Sequence, residues 1–238
     1  MQVPTLIRLD CSPSKGEVTR QKIKMAAMKL FAQRGLEAVS VRDINKASGQ
    51  RNAGSINYHF SSRDDLIREI MLDVGKILDA DHAARLDELE AQSGPKDVRE
   101  VASILVRPLS EISDDITTCT HSLRFLHMAM LSHRDMMMDA LENRPGLERC
   151  LDHIRRLAPE MPTEILEQRI KMGMKFLLMS GSAREQALQH GDNYDPYWNA
   201  PWAPDNVADA FAGIVSAPVS KLTQDLFDGS QDSTAVAS

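Results

Sequence analysis

The chain is poor in the features that mark secreted, membrane and catalytic proteins. Its three cysteines, Cys11, Cys119 and Cys150, are odd in number, widely separated and outside any C-x-x-C arrangement. That excludes a disulfide framework and a zinc cluster, so the thiols read as buried or incidental and no metal ion is expected. No apolar run approaches the roughly 18 residues needed to span a bilayer. Met1 to Lys15 has no apolar core followed by a small-residue cleavage site, and a cytoplasmic protein is expected. There is no convincing strand-length alternation, which points to an all-α fold. No G-x-S-x-G elbow, H-E-x-x-H pair or dinucleotide fingerprint occurs. His133-Arg134-Asp135 matches a kinase triplet, but neither a Gly-rich phosphate loop nor the downstream Asn accompanies it. The reading is therefore a non-enzyme that needs no cofactor.

What is present is an ordinary globular composition, 42% hydrophobic and 26% charged, with an uneven distribution of charge. Residues 1–65 hold eleven Lys or Arg against six acids, whereas the remainder holds 17 bases against 28 acids, within a formal net charge of −6. Polyanion affinity follows local cation density, so a basic head on an acidic body is compatible with nucleic acid.

The head contains a helix-turn-helix pattern. From Thr19 to Arg34, Ile23, Ala26, Ala27, Leu30 and Phe31 recur at helical spacing, and Gly35 stands as a stop. Ser40 and Asp43 form a Ser-x-x-Asp cap ahead of Val41, Ile44 and Ala47. The segment Gly49 to Phe60 then reads as a turn and a second short helix with polar side chains, the kind that enters a major groove while its partner braces it. Ser61-Ser62 caps a further helix whose buried face is Leu66, Ile67, Ile70, Met71, Val74, Ile77 and Leu78. It extends toward Leu86–Leu89 and joins head to body.

Beyond the break at Ser93-Gly94-Pro95, helices are expected near 96–112, 115–131, 134–143, 146–157, 163–190 and 204–227. Pro108 and Pro218 should kink or split theirs, and Pro145-Gly146 divides another. At ~1.5 Å per residue the helix near 163–190 would be on the order of 40 Å long. Pairing of that helix and the one at 204–227 with their symmetry mates would give a two-fold homodimer. The domain reading is a flexible arm at 1–17, a DNA-binding domain at 18–65, a helical effector-binding and dimerisation domain at 66–227 with its connecting helix from about 63, and a disordered tail at 228–238.

Three spaced motifs, Phe-Ala-Gln-Arg-Gly-Leu-Glu-Ala at 31–38, Ser-Val-Arg-Asp-Ile at 40–44 and Tyr-His-Phe-Ser-Ser-Arg-Asp-Asp-Leu at 58–66, resemble the tetracycline-repressor-type (TetR) family of bacterial transcription regulators over roughly residues 18–75. The stretch from Gly49 to Phe60 is one residue longer than the commonest form of the motif, which leaves the register of the reading helix open by one position. The resemblance implies a homodimeric repressor on a palindromic double-stranded operator, released when a small-molecule effector occupies its body.

For DNA contact the candidates are Arg51, Asn52, Ser55, Asn57, Tyr58 and His59 in the reading segment, with Arg51 suited to guanine through its planar fork. Thr19, Arg42 and Arg63 are placed at helix starts that suit phosphates. In the body, His121, His127 and His133 are six apart and do not stack on one face as metal ligands would. The accompanying methionines and aromatics suit an adaptable apolar cavity, and Leu105, Leu109, Phe125, Met128, Met172, Phe176 and Met179 are the candidate lining. A helical ligand-binding or scaffolding dimer that reads no DNA is the competing interpretation, and operator binding separates the two.

Overall fold

The computed structural model describes residues 14–50, 55–107, 116–190 and 195–235, and those residues form helices and turns without a strand. The expectations for the arm before Ser14, for Pro108 and for Leu109 fall outside them, as do Arg51 and Asn52.

Each helix of the head begins where side chains can close its unpaired N–H groups. Helix α1 (Lys15–Arg34) starts at a capping box in which Ser14 and Glu17 bond each other's backbone, and it stops at Gly35, φ 81°. The first turn of α1 therefore includes part of the expected arm. Helix α2 (Val41–Ala47) carries the same box between Ser40 and Asp43. Ser48 hydroxyl then donates to the carbonyl of Ile44 at 2.8 Å, and Gly49 turns the chain at φ 72°, a conformation that favours glycine. Helix α3 (Ser55–His59) is short, and α4 (Arg63–Glu90) opens at Ser62, whose hydroxyl accepts from Asp65.

The body comprises α5 (Val98–Leu105), α6 (Ile116–Ser132), α7 (Arg134–Leu141), α8 (Pro145–Leu157), α9 (Thr163–His190), α10 (Pro196–Asn199), α11 (Ala203–Ser216) and α12 (Lys221–Ala235). Pro145 stands in the first turn of α8, where its missing N–H costs nothing, and Pro218 falls in the break between α11 and α12. The tail expected from 228 is instead helical as far as Ala235. Ser220 hydroxyl accepts from Thr223 at 3.3 Å at the start of α12 and Gln224 bonds Asp228 at 2.9 Å, one turn further on, where the tail was expected to begin.

Two apolar clusters organise the molecule. The first joins α1, α2, α3 and the amino-terminal half of α4 to α6 and α7, through Phe31, Ile44, Ile56, Phe60, Leu66, Met71, Phe125 and Ala129 among others. The second joins the far part of α4 to α5, α8, α9 and α11, through Leu86, Val101, Ile154, Ile170, Phe211 and Val215. Helix α4 threads both, and its middle is polar. There Asp81 is ion-paired with Arg107, and Asp79 Oδ1 accepts the N–H of Leu147 at 2.8 Å, capping α8 from a neighbouring helix. Gly146 lies against this stretch so closely that a β-carbon would meet the Asp79 carbonyl and come within 2.9 Å of the Ala83 nitrogen.

Candidate nucleic-acid interface

Helix α3 divides its residues cleanly between core and water. Ile56 and the following Phe60 are buried, while Asn57 is exposed and Tyr58 is 85% exposed with its ring edge-on to His59 at 5.0 Å. An exposed tyrosine beside an exposed asparagine presents donors, acceptors and an aromatic face to whatever approaches. Ser55 opens the same helix.

Sequence reasoning missed the residue that seats this helix. Arg20, on α1, donates to the carbonyl of His59 at the end of α3, pairs with Glu69 of α4, and lies 4.4 Å from the Phe60 ring centroid. One guanidinium thus ties three helices and satisfies the electronegative end of α3. Nothing in local periodicity marks it, because its partners lie 39 and 49 residues away. Lys24 pairs with Asp73 in the same seam.

The three residues expected at phosphate-binding helix starts behave differently. Arg42 is the second residue of α2 and is exposed, as is Lys46 on the same helix. Arg63 does begin α4, but its guanidinium turns inward, donating to the Leu36 carbonyl and lying 5.4 Å from the Phe31 ring centroid. Thr19 is in the second turn of α1 rather than at its start, and its hydroxyl donates to the Lys15 carbonyl at 2.9 Å. The reason is the Ser14–Glu17 box, which starts the helix four residues earlier than the apolar pattern does.

The proposed pocket residues are not gathered at one place. Phe125 is fully buried against Phe31, rings 6.1 Å apart, and Met128 packs beside it in the first cluster. Leu105 and Phe176 flank the second cluster, whereas Met172 and Met179 point to solvent from the outer face of α9. The three histidines diverge as well: His121 contacts Thr120, His127 meets Ser182 at 3.2 Å and His133 meets Ser132 at 3.0 Å.

Between α6 and α9 lies a buried polar group that composition did not reveal. The Glu185 carboxylate accepts the N–H groups of Leu123 at 2.9 Å and Arg124 at 2.8 Å. Burial pushes its carboxyl up to about 8, against those two donors, which favour the ionised form. On α4, burial pulls His82 down to about 4, opposed by Asp79 and assisted by Arg144, and holds the imidazole neutral.

A compact head that packs a two-helix reader on α1 and α4 is a helix-turn-helix arrangement. Residues 23–70 match the family model described as bacterial regulatory proteins, tetR family, and the amino-terminal domain of this chain belongs to it. The chain is 36% identical over 62 residues to the HTH-type transcriptional repressor KstR2 of Mycolicibacterium smegmatis, covering 26% of this chain and 30% of that protein. It is 29% identical over 120 residues to the HTH-type transcriptional regulator AcrR of Shigella flexneri, covering 50% and 51%. The chain thus spans about a third to a half of the curated relatives it matches. A tetR family transcription regulator from Shewanella sp. PV-4 shares the fold over 82% of this chain and 96% of its own, with a TM-score of 0.54 at 15% identity.

Proposed function

We propose that the protein is a sequence-specific DNA-binding transcriptional regulator, a homodimeric repressor that leaves a palindromic operator when its body binds a small molecule. The observation that carries this is α3, with Ile56 and Phe60 anchored in the core, Asn57 and Tyr58 outward, and Arg20 holding its end. The relatives named above are an HTH-type transcriptional repressor and an HTH-type transcriptional regulator, which supports the reading of a cytoplasmic regulator without enzymatic activity. Among the described residues no helix is long and apolar enough to cross a membrane.

In this reading Asn57, Tyr58 and His59, with Arg51, Asn52 and Ser55 before them, face the duplex. Arg42 rather than Arg63 supplies the nonspecific phosphate contact, because the Arg63 guanidinium is already engaged. Dimerisation uses the stretches 163–190 and 204–227, where the outer face of α9 includes Met172, Met179 and Leu188, and sets the two heads at the ~34–36 Å that matches successive major grooves. The effector site lies toward Leu105 and Phe176, half-buried beside the second cluster. The ligand needs only different affinities for the two head spacings.

Selection of bound genomic fragments, followed by gel-shift titration at several salt concentrations, tests this. An inverted repeat should emerge. Arg51→Ala should cost about 1–3 kcal/mol and relax preference at one base pair, whereas Arg42→Ala should weaken all sequences alike and reduce the salt slope by about 1. No enriched repeat, or affinities that both substitutions leave unchanged, would remove the DNA-reading assignment.

A further inference from the structure

Helices α6 and α9 meet through polar side chains of α9 that bond the backbone of α6. Glu185 and Gln189 stand one turn apart on α9. The buried Glu185 carboxylate takes the Leu123 N–H on one oxygen and the Arg124 N–H on the other, and the Gln189 amide donates to the Thr120 carbonyl. The Thr120 carbonyl and the Arg124 N–H are the two groups that an α-helix ordinarily joins to each other. Side chains of α9 therefore engage both ends of one rung of α6. One turn before Glu185, Gly181 lies so near that a β-carbon would stand 2.4 Å from Leu123 Cδ1, and Ser182 meets His127 at 3.2 Å.

A seam held in this way differs from an apolar one. Burying a carboxylate is costly unless its oxygens are bonded, and packed apolar residues would join two helices at less cost. What directional bonds add is position. Apolar side chains tolerate a small slide, whereas acceptors aimed at two consecutive N–H groups and a donor aimed at the carbonyl one turn back admit a single register. The opposite face of α6 carries the head. Ser122, Phe125 and Ala129 recur at helical spacing about half a turn away from Thr120, Leu123 and His127. Phe125 meets Phe31 and Ser122 meets Met28, both on α1. Helix α1 in turn holds the end of α3 through Arg20. Helix α6 is thus fixed by α9 on one side and bears on α1 with the other.

We propose that Glu185 and Gln189 are positioning residues for DNA reading: by fixing where α6 sits on α9, they fix where α1 presents α3. The proposal rests on the DNA-reading assignment and gives α9 a role within a single subunit, apart from any contact with a second copy. Both residues stand on the body, away from α3, so their effect reaches the duplex through α6, α1 and Arg20.

The test uses the full chain, with an operator recovered by selection from genomic fragments and an unrelated duplex of equal length as control. Glu185→Leu and Gln189→Leu are titrated with each duplex by fluorescence anisotropy, at one salt concentration and at a temperature where circular dichroism shows wild-type helicity. Both should raise the operator Kd by about tenfold or more while affinity for the unrelated duplex stays within about twofold, because phosphate contact tolerates a displaced head and base contact does not. Gln189→Lys, which keeps a donor of similar reach, should recover most of the operator affinity lost in Gln189→Leu. Losses along one route should not add, so Arg20→Ala with Gln189→Leu should bind operator within about twofold of Arg20→Ala alone. A seam that serves stability alone leaves the ratio of operator to control affinity unchanged, whether both affinities hold or both fall, and that result overturns the proposal. Additive losses in the double variant overturn it as well. Should Glu185→Leu fail to fold, Gln189→Leu and Gln189→Lys decide, since Gln189 is only half-buried. A wild-type chain that prefers no duplex sequence overturns the DNA-reading assignment and the positioning role with it.

Discussion

At the scale of single residues, the head relies on cations whose work is internal as much as on those that could meet DNA. Arg20 makes the contrast testable. Arg20→Ala removes the donor to the His59 carbonyl, the pair with Glu69 and the contact over Phe60. A lost hydrogen bond to a charged group costs about 1.5–3 kcal/mol, so urea unfolding should show a loss in that range together with weaker operator binding. Tyr58→Ala removes a side chain that is 85% exposed, so it should stay within about 0.5 kcal/mol of wild type in stability while weakening DNA binding comparably. Equal stability losses in the two variants would refute the division of labour. His82 gives a pH signature. The imidazole titrates near 6.5 when unfolded and at about 4 when folded, so between those values the unfolded state binds the extra proton. Its contribution is complete above pH ~6.5 and is lost as pH falls toward 4, by about 3 kcal/mol in all. His82→Gln should flatten that part of the stability curve measured by urea titration between pH 4 and 7.

At the scale of elements, helix ends and close approaches decide the architecture. Glu185 serves α6 from α9 through two backbone N–H groups. Glu185→Ala removes both acceptors and should cost about 1–3 kcal/mol, while Glu185→Gln keeps one amide oxygen for one N–H and sets its NH2 against the other, so its melting temperature at pH 7 should fall between those of Glu185→Ala and wild type. If the two variants melt together, the carboxylate's acceptor role is wrong. Much of the element layout was legible in the sequence. Ser40 with Asp43, Gly35, Pro145 and Pro218 are local signals that act within a turn of where they stand, and the boundaries Thr163 and His190 follow from a long periodic stripe. The Glu185 link was not legible, since α6 and α9 meet across 61 and 62 residues and no spacing within either helix announces it. The Arg63 side chain was misassigned for a related reason: a helix start and a basic residue look the same whether the guanidinium faces solvent or the Leu36 carbonyl. Met172 and Met179 were grouped with Phe125 and Met128 by residue type alone, and residue type does not distinguish an inner helical face from an outer one.

At the scale of the whole molecule, α6 and α7 share the head's apolar cluster, while α6 also packs along α9 of the body through Glu185 and Leu178. Phe125 of α6 meets Phe31 of α1, and Ser122 hydroxyl lies 3.5 Å from Met28 sulfur, so α6 bears directly on the helix that holds α3 through Arg20. A displacement of α6 therefore reaches the reading helix by a second route besides α4, which spans both cores. Removing one aromatic from each core separates the two. Phe125→Ala and Phe211→Ala each delete a fully buried ring and should each cost about 3–5 kcal/mol. Their footprints in amide hydrogen exchange should differ. Phe125→Ala should accelerate exchange in α1 and the start of α4 along with α6, whereas Phe211→Ala should accelerate it in α5, α9 and α11 and spare α1. Local opening follows the core in which the cavity is made, because each cluster is packed largely by its own set of helices, with α4 spanning both and α9 reaching the first through Leu178. Should Phe125→Ala loosen α9 and α11 while leaving α1 protected, α6 belongs energetically to the body, and the direct path from α6 to the DNA-reading helix is excluded.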